Sequence, residues 1–598
     1  IEHYCLKILT KEDEKGNFVA SEAAEKLKNK YEEILIDEYQ DANEMQETIF
    51  SMISRGNNIF MVGDIKQSIY RFRHTNPMLF KNKLDTYKDG EGENQRVIMS
   101  ENFRSRKSVV DCVNFVFEQI FSPTVGEMVY DKNERLNMAA LYPESEGINC
   151  GGESEIILIN KKFDETFQGA GKEFSDDDEE FLSGKEAEAQ AVCRRIKELM
   201  ASGYMVYDKA EGYRPLKFKD IVVLMHSPKN DAEIVCAAME QNHIDCFADV
   251  GGGYFDSEEI DVVVNLLCAI DNPRQDIVLL ALMRSPIFFF DENELAKIRM
   301  FDFESDIYGC VLNFGENSED KKLKEKCKNF IDKLARWREM AVYMPVHELI
   351  FKLYKETGYY AYAGAMPNGQ MRRANLKLLY KRAENYEKTS YKGLFNFINF
   401  LGKMKKSGSD SKGARLLGEN QDVVRIMSIH KSKGLEFAVV FLTGLGKKFN
   451  LKDLTAPVLV HKKYGIGVDY IDCDLRYKCP MIIKNVIKDV AHDELLSEQL
   501  RVLYVAMTRA REKLIMVAAP PYFERNMKKW ESVAAEAERL ELPVYRCARA
   551  KNYLDWIMPA VMRSESAKDI IKSHIASTGS ELEMKISIVN ESAAAEEV

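Results

Sequence analysis

The chain has 598 residues, 45% hydrophobic and 30% charged, which is apolar material for several cores and, by length, for about three to five domains. A net charge of −11 disfavours a nucleic-acid partner at first sight. Such binding depends on local phosphate contacts, however, and much of the negative charge sits in patches such as 176–180 and 581–597. No run of about eighteen apolar residues exists, which excludes a transmembrane helix, and the start IEHYCLKILTKEDEK lacks the features of a signal peptide. The 12 cysteines include no C-x-x-C pair, which argues against a zinc site or disulfide framework and for a reducing, cytoplasmic setting.

In chain order, a helix is predicted around residues 3–9, then a polar loop, then the run Ile34-Leu35-Ile36, which ends on Asp37 and Glu38. So apolar a run predicts a strand buried on both faces, as in a parallel sheet covered by helices. In open α/β sheets, ligands sit outside the carboxyl ends of the strands, where these two acids are delivered. Phosphoryl transfer to water needs one carboxylate for Mg²⁺ and another group to orient or deprotonate the water; Asp37 suits the first role and Glu38 the second. A helix over 42–54 leads to a second apolar run, 59–62, which ends in Gly63-Asp64 and is followed by Gln67, Tyr70, Phe72 and Arg73. An amide beside a nucleotide site, then rings and arginines, is what coupling phosphate state to a nucleic-acid track requires.

The two segments ILIDEYQD and GDIKQSIYRFR resemble motifs II and III of the UvrD/Rep-type superfamily 1 DNA helicases. Three further segments resemble later motifs in family order: NFRS (102–105), HKSKGLEF (430–437) and EQLRVLYVAMTRAREKLIMVA (498–518). The resemblance implies ATP and Mg²⁺ as cofactors, with Asp37 as the metal ligand, Glu38 handling water and Gln67 reporting the γ-phosphate. Arg104 and Arg509 would reach that phosphate from the far side. Gly434, Glu436 and Asp64 would lie near the nucleotide, and Tyr70, Phe72, Arg73, Ser428 and His430 would face DNA. Read locally, Arg104 suits an ion pair equally, Phe72 suits a core position, and the lysines of HKSKGLEF suit an exposed turn. His226 stands where many relatives carry Arg, which weakens any family contact there. Phe72 stands where Trp is commoner and offers less ring area.

Between these motifs, strands are predicted over 155–159, 221–225, 423–429 and 438–442, with helices over 186–200 and 231–241, a short strand near Cys246, and a helix opening after residue 97. This alternation predicts a doubly wound domain. Residues 161–185 read as a mobile acidic insertion, and 407–420 as a linker. Helical periodicity dominates between about 255 and 420, as in 257–270, 277–283, 321–340 and 346–354. The expected fold class is therefore α/β: RecA-like P-loop helicase domains, the first incomplete, with a mainly helical inserted accessory domain. The expected boundaries are 1–97 (first motor domain), 98–274 and 421–535 (two segments of the second), 275–420 (helical accessory domain) and 536–598 (linker or acidic tail).

Every Gly-Lys in the chain lacks a following Ser or Thr and a glycine five positions earlier, so no phosphate-binding loop is present, and truncation at the N-terminus is the expectation. Further segments, among them the stretches over 251–277 and 461–472, are similar to AddA-type motor subunits of bacterial helicase–nucleases. That similarity implies an ATP-dependent 3′→5′ motor acting on single-stranded and duplex-end DNA in double-strand-break repair. It also implies a missing C-terminal nuclease domain, no membrane, and partnership with an AddB-like nuclease subunit. The alternative is that this chain alone is a non-catalytic DNA- and partner-binding module.

Overall fold

The computed structural model describes residues 1–13, 18–90, 92–143, 147–160, 176–249, 254–366, 369–388, 392–407, 422–571 and 582–590. Contacts divide the chain into two units. One holds Ile1–Ser227, Gln241–Ile244 and Val424–Val598; the other holds Pro228–Glu240 and Asp245–Val423.

The first unit opens with α1 (Glu2–Leu9), β1 (Ile34–Ile36), α2 (Glu44–Ile53) and β2 (Ile59–Met61). β1 and β2 pair in parallel, Leu35 opposite Phe60. The expectation of a strand buried on both faces fails here. Leu35 is 70% and Phe60 60% exposed, because alternate residues of a strand point to opposite faces and only the Ile36 and Met61 side of this pair packs on the main core. α2 begins in a reciprocal cap: the Asn43 side chain accepts from the Gln46 amide while the Gln46 side chain accepts from the Asn43 amide.

The helix expected to open after residue 97 starts only at Lys107, as α3 (Lys107–Ile120); Glu101–Asn102 forms a short parallel bridge to Asn137–Met138 instead. There follow β3 (Ser154–Asn160), α4 (Asp176–Ala201), β4 (Ile221–Met225), β5 (Val424–Ser428), the one-turn α5 (Ile429–Ser432) and β6 (Phe437–Leu442). Next come the long α6 (Ile482–Met507), β7 (Ala510–Ala518), α7 (Leu554–Val561) and β8 (Met584–Asn590). Six strands of this unit lie in the order β5-β4-β6-β7-β3-β8, every neighbouring pair parallel. β4 and β6 are buried along their whole length, as near-continuous apolar strands of a helix-covered parallel sheet must be. The core between sheet and helices is built from α3, the second half of α6, and α7, with Phe117, Tyr504, Trp530 and Trp556 almost fully enclosed.

Two expectations about irregular segments change. The acidic stretch 176–185 belongs to α4 rather than to an insertion, while 161–175 lies outside the described residues. The stretch 536–598, read as a tail, carries α7, whose Trp556, Ile557 and Met558 are fully buried, and β8, which takes an edge of the sheet. Apolar side chains at that density must be enclosed, whatever the polarity around them. Residues 572–581 and 591–598 lie outside the described part.

The second unit is helical. Its helices include Glu258–Asp271, Asp276–Arg284, Lys321–Tyr343, Val346–Thr357 and Gly369–Glu387, closed on a core of Leu266, Phe330, Trp337, Leu349 and Phe397. The contact division starts this unit well before residue 275: the helix Glu258–Asp271, expected in the motor segment, shares the helical core. Of the expected linker, 408–420 lies outside the described residues. No helix among the described residues is long and apolar enough to cross a membrane.

Candidate nucleotide and nucleic-acid site

β1 stops at Ile36 and delivers Asp37 and Glu38 to solvent at its carboxyl end. Glu38 adopts left-handed φ (52°), and its amide donates to Asp37 Oδ1 at 2.8 Å. Buried Gln40 then ties the two motif loops together. Its Nε2 donates to the Glu38 carboxylate and its Oε1 accepts the Asp64 amide at 3.0 Å. Gly63 is required for this approach, because a Cβ there would stand 2.4 Å from Gln40 Oε1. Asp64 holds the next turn, accepting the Lys66 amide (3.0 Å), Lys66 Nζ (2.9 Å) and Gln67 Nε2 (3.0 Å). Lys66 is buried and also meets Glu134; burial opposes its charge, but the two carboxylates outweigh it and raise its pKa.

The opposing wall comes from β5, α5, β6 and the end of α6. Ser428 Oγ caps α5 by accepting the Lys431 amide at 3.2 Å. The segment read as a turn is thus one helical turn plus Gly434, whose φ of +82° lies in the left-handed region that favours glycine. Lys433, with a side chain 6% exposed, reaches the Asp41 carboxylate, the Gln67 carbonyl (2.8 Å) and Glu38 Oε2 (3.3 Å). Asp41 is itself pushed above the usual carboxylate range by burial, in spite of that lysine. Glu436 pairs with Arg104 Nε at 3.2 Å and with Arg511 at 3.6 Å, so the ion pair foreseen for Arg104 exists.

Arg509 is 3% exposed, and its hydrogen bonds go to neutral oxygens: Val505 O at 3.0 Å, Leu435 O at 3.1 Å and Thr508 Oγ1 at 3.2 Å. Burial, then the neighbouring Arg104, lower its pKa, while Glu38 and Glu436 act in the opposite sense. A buried guanidinium with neutral partners and a like charge beside it is a receptor for an anion.

Beside this pocket lies an aromatic cluster. Tyr70 donates to the His430 carbonyl at 3.2 Å, and its ring lies 5.9 Å from that of Phe72. Phe72 meets the His430 ring at 5.6 Å, and the Arg73 guanidinium sits over Tyr70 and Phe72 at 5.0 and 5.6 Å. Phe72 is 63% exposed, not a core residue. His226 joins the cluster, 6.0 Å from His430 and 6.2 Å from Tyr553. Burial, then His430 and Lys447, bring its pKa down from 6.5 to about 4, and burial also lowers that of His430.

Thus the structure draws Asp37, Glu38, Asp64 and Gln67 together with Gly434, Glu436, Arg104 and Arg509, and sets Tyr70, Phe72, Arg73 and His430 together next to them. Ser428 has its hydroxyl engaged as a helix cap. Sequence reasoning missed Gln40, the partnerships of Lys433, and Arg501, which is wholly buried and donates to Ser68 O at 2.9 Å and pairs with Glu127 at 2.9 Å. No local signal marks Gln40 or Lys433; a charge in the middle of the apolar run LRVLYVAM was the available hint for Arg501.

Among the described residues no group of three His, Cys, Asp or Glu side chains forms a metal cage. Mg²⁺ needs none, since it keeps several waters and is held by one or two carboxylates with substrate phosphates, so exposed Asp37 fits it and the Arg104–Arg509 wall fits a polyphosphate.

A strand-end carboxylate pair facing buried arginines, beside an aromatic track, defines a nucleotide-driven motor, and the chain belongs to the UvrD-like helicase family: it matches the UvrD-like helicase C-terminal domain over residues 97–520 and the UvrD/REP helicase N-terminal domain over 1–88. It is 47% identical over 586 residues to an AddA-type ATP-dependent helicase/nuclease subunit of Clostridium novyi (strain NT), covering 95% of this chain and 46% of that protein. The relatives of the same name from Clostridium kluyveri (strain NBRC 12016) and Acetivibrio thermocellus are each 44% identical, over 591 and 587 residues, with 96% and 95% of this chain and 47% of each relative covered. The chain spans about half the length of the curated relatives it matches.

Proposed function

We propose that this chain is part of an ATP-dependent DNA helicase motor that moves 3′→5′ along single-stranded DNA. In this reading it works at duplex ends in double-strand-break repair, in the cytoplasm, paired with an AddB-like nuclease subunit. The observation that carries the reading is Arg509, a buried cation whose partners are neutral, on the wall opposite Glu38. The relatives' description, as ATP-dependent helicase/nuclease subunits, supports the same reading.

Bound ATP with Mg²⁺ supplies the reactive phosphoryl group. Asp37 would hold the metal, and Glu38 orients and deprotonates the attacking water. The Gln67 amide, resting on Asp64, is placed to exchange that carboxylate for a γ-phosphate oxygen. Arg104 and Arg509 offset the charge that builds on the transferring group, a role worth about 10³–10⁵ in rate where arginines act this way. Gly434 and Glu436 shape the pocket edge, and Tyr70, Phe72, Arg73 and His430 offer ring faces and a cation to single-stranded DNA.

The sequence contains no Gly-x-x-x-x-Gly-Lys-Ser/Thr, so turnover is assigned to the natural full-length protein and DNA binding to this chain as well. Glu38→Gln in the full-length protein should abolish DNA-stimulated hydrolysis while nucleotide binding persists. Normal turnover in that variant removes Glu38 from the mechanism.

A further inference from the structure

The Lys433 side chain is nearly buried, and its ammonium has three N–H groups to place. One goes to Asp41, one to the Gln67 carbonyl at 2.8 Å, and Glu38 Oε2 lies within 3.3 Å. The same ammonium stands 5.1 Å from the centroid of the Tyr70 ring. A single cation therefore touches the acid loop, the loop bearing the sensor amide and a ring of the aromatic cluster. It follows directly on α5, which carries His430, and the His430 carbonyl is held by the Tyr70 hydroxyl. Glu38, for its part, is drawn back toward Lys433 and Gln40 rather than projecting freely into the pocket.

We propose that Lys433 is a positioning residue that couples occupancy of the aromatic cluster by single-stranded nucleic acid to the Glu38 carboxylate, restraining Glu38 until the cluster is filled. A base stacking on Tyr70 and Phe72 presses on the Tyr70–His430 contact. The one-turn helix then shifts and carries Lys433, the next residue, away from Glu38. Asp41 and the Gln67 carbonyl are the ammonium's resting partners, so the displaced cation does not lose all its ligands in a dry site.

This inference rests on the helicase reading of the site. Its test compares Lys433→Met, Lys433→Arg and Asp41→Asn in the natural full-length protein. ATP hydrolysis is measured without DNA and with saturating oligo(dT), and oligo(dT) affinity by fluorescence anisotropy. Lys433→Met should raise the DNA-free rate and shrink the ratio of DNA-saturated to DNA-free rates by at least about fivefold, the lower end of ordinary coupling between sites. Lys433→Arg should recover part of that ratio. Asp41→Asn, an isosteric change that leaves Lys433 to Glu38, should lower the DNA-free rate and enlarge the ratio, and it carries the test should the methionine variant fold poorly. Both rates falling by one common factor in Lys433→Met, or a raised DNA-free rate in Asp41→Asn, overturns the proposal while the helicase reading stands. Hydrolysis by the wild-type protein that is indifferent to oligo(dT) would instead bring down the helicase reading itself.

Discussion

Replacing Phe72 by alanine separates track from core. The ring is 63% exposed and meets its neighbours at the edge, 5.6 Å from His430 and 5.9 Å from Tyr70, so few enclosed contacts are lost with it. Stability should change by no more than about 0.5 kcal/mol, as for other surface sites. A base stacked on an aromatic ring is worth about 1–3 kcal/mol, so Kd for oligo(dT) should rise between about 5-fold and 150-fold. The lower part of that range is expected, because the Arg73 guanidinium already lies over the ring at 5.6 Å and must share it. Fluorescence anisotropy on this chain at several salt concentrations gives affinity and salt slope together. Phenylalanine carries no charge, so the slope should not move, whereas Arg73→Ala should reduce it by about one unit if Arg73 meets a phosphate. An unchanged Kd for Phe72→Ala, or a weaker Kd accompanied by a lower melting temperature, refutes the assignment.

Arg509→Lys in the full-length protein should lower kcat by about 10³ or more with a smaller effect on nucleotide affinity, because an ammonium cannot keep three neutral acceptors and still meet an anion bidentately; stopped-flow phosphate release reads this. His226 has a folded pKa of about 4 against 6.5, so the unfolded chain takes up its proton first. Its contribution is therefore complete above pH 6.5 and lost as pH falls toward 4, with a slope of up to about 1.4 kcal/mol per pH unit. Urea titrations of the wild type and His226→Gln should converge over that window, and parallel curves would refute the burial argument. Deleting 582–598 should lower the onset of aggregation seen by light scattering, since β3 would lose seven paired residues, Met584↔Ser154 through Asn590↔Asn160, and expose an apolar edge.

Much of the sheet was readable because it is written in continuous runs. Ile221–Met225 and Phe437–Leu442 are apolar at nearly every position, and their predicted limits hold within one residue. Helix content in the second unit was likewise plain from period alone, down to Lys321 as a first residue. Leu35 and Phe60 misled for a physical reason: an apolar triplet states that a strand is sticky, not how many sides are covered. The run WIMPAV signalled burial, but Pro559 inside it and the polar flanks hid a helix that only tertiary packing sustains. At the site, Asp37, Glu38, Gln67 and Arg509 were legible because motifs preserve residue type at fixed spacing. Gln40 and Lys433 act through partners 24 residues and more away in the chain, and no window of local sequence contains both ends of such a bond.

The edge position of β8 sets a timetable for synthesis. β3 emerges first, with Ile156 and Leu158 destined for full enclosure, yet its two neighbours in the sheet, β7 and β8, are encoded hundreds of residues later. At about 5–20 residues per second, roughly 20 to 90 s separate the appearance of residue 154 at the ribosome from that of residue 590. For that interval the nascent polypeptide carries an unsatisfied apolar ribbon, and a chaperone or an early collapse onto α3 must shield it until its flanks arrive.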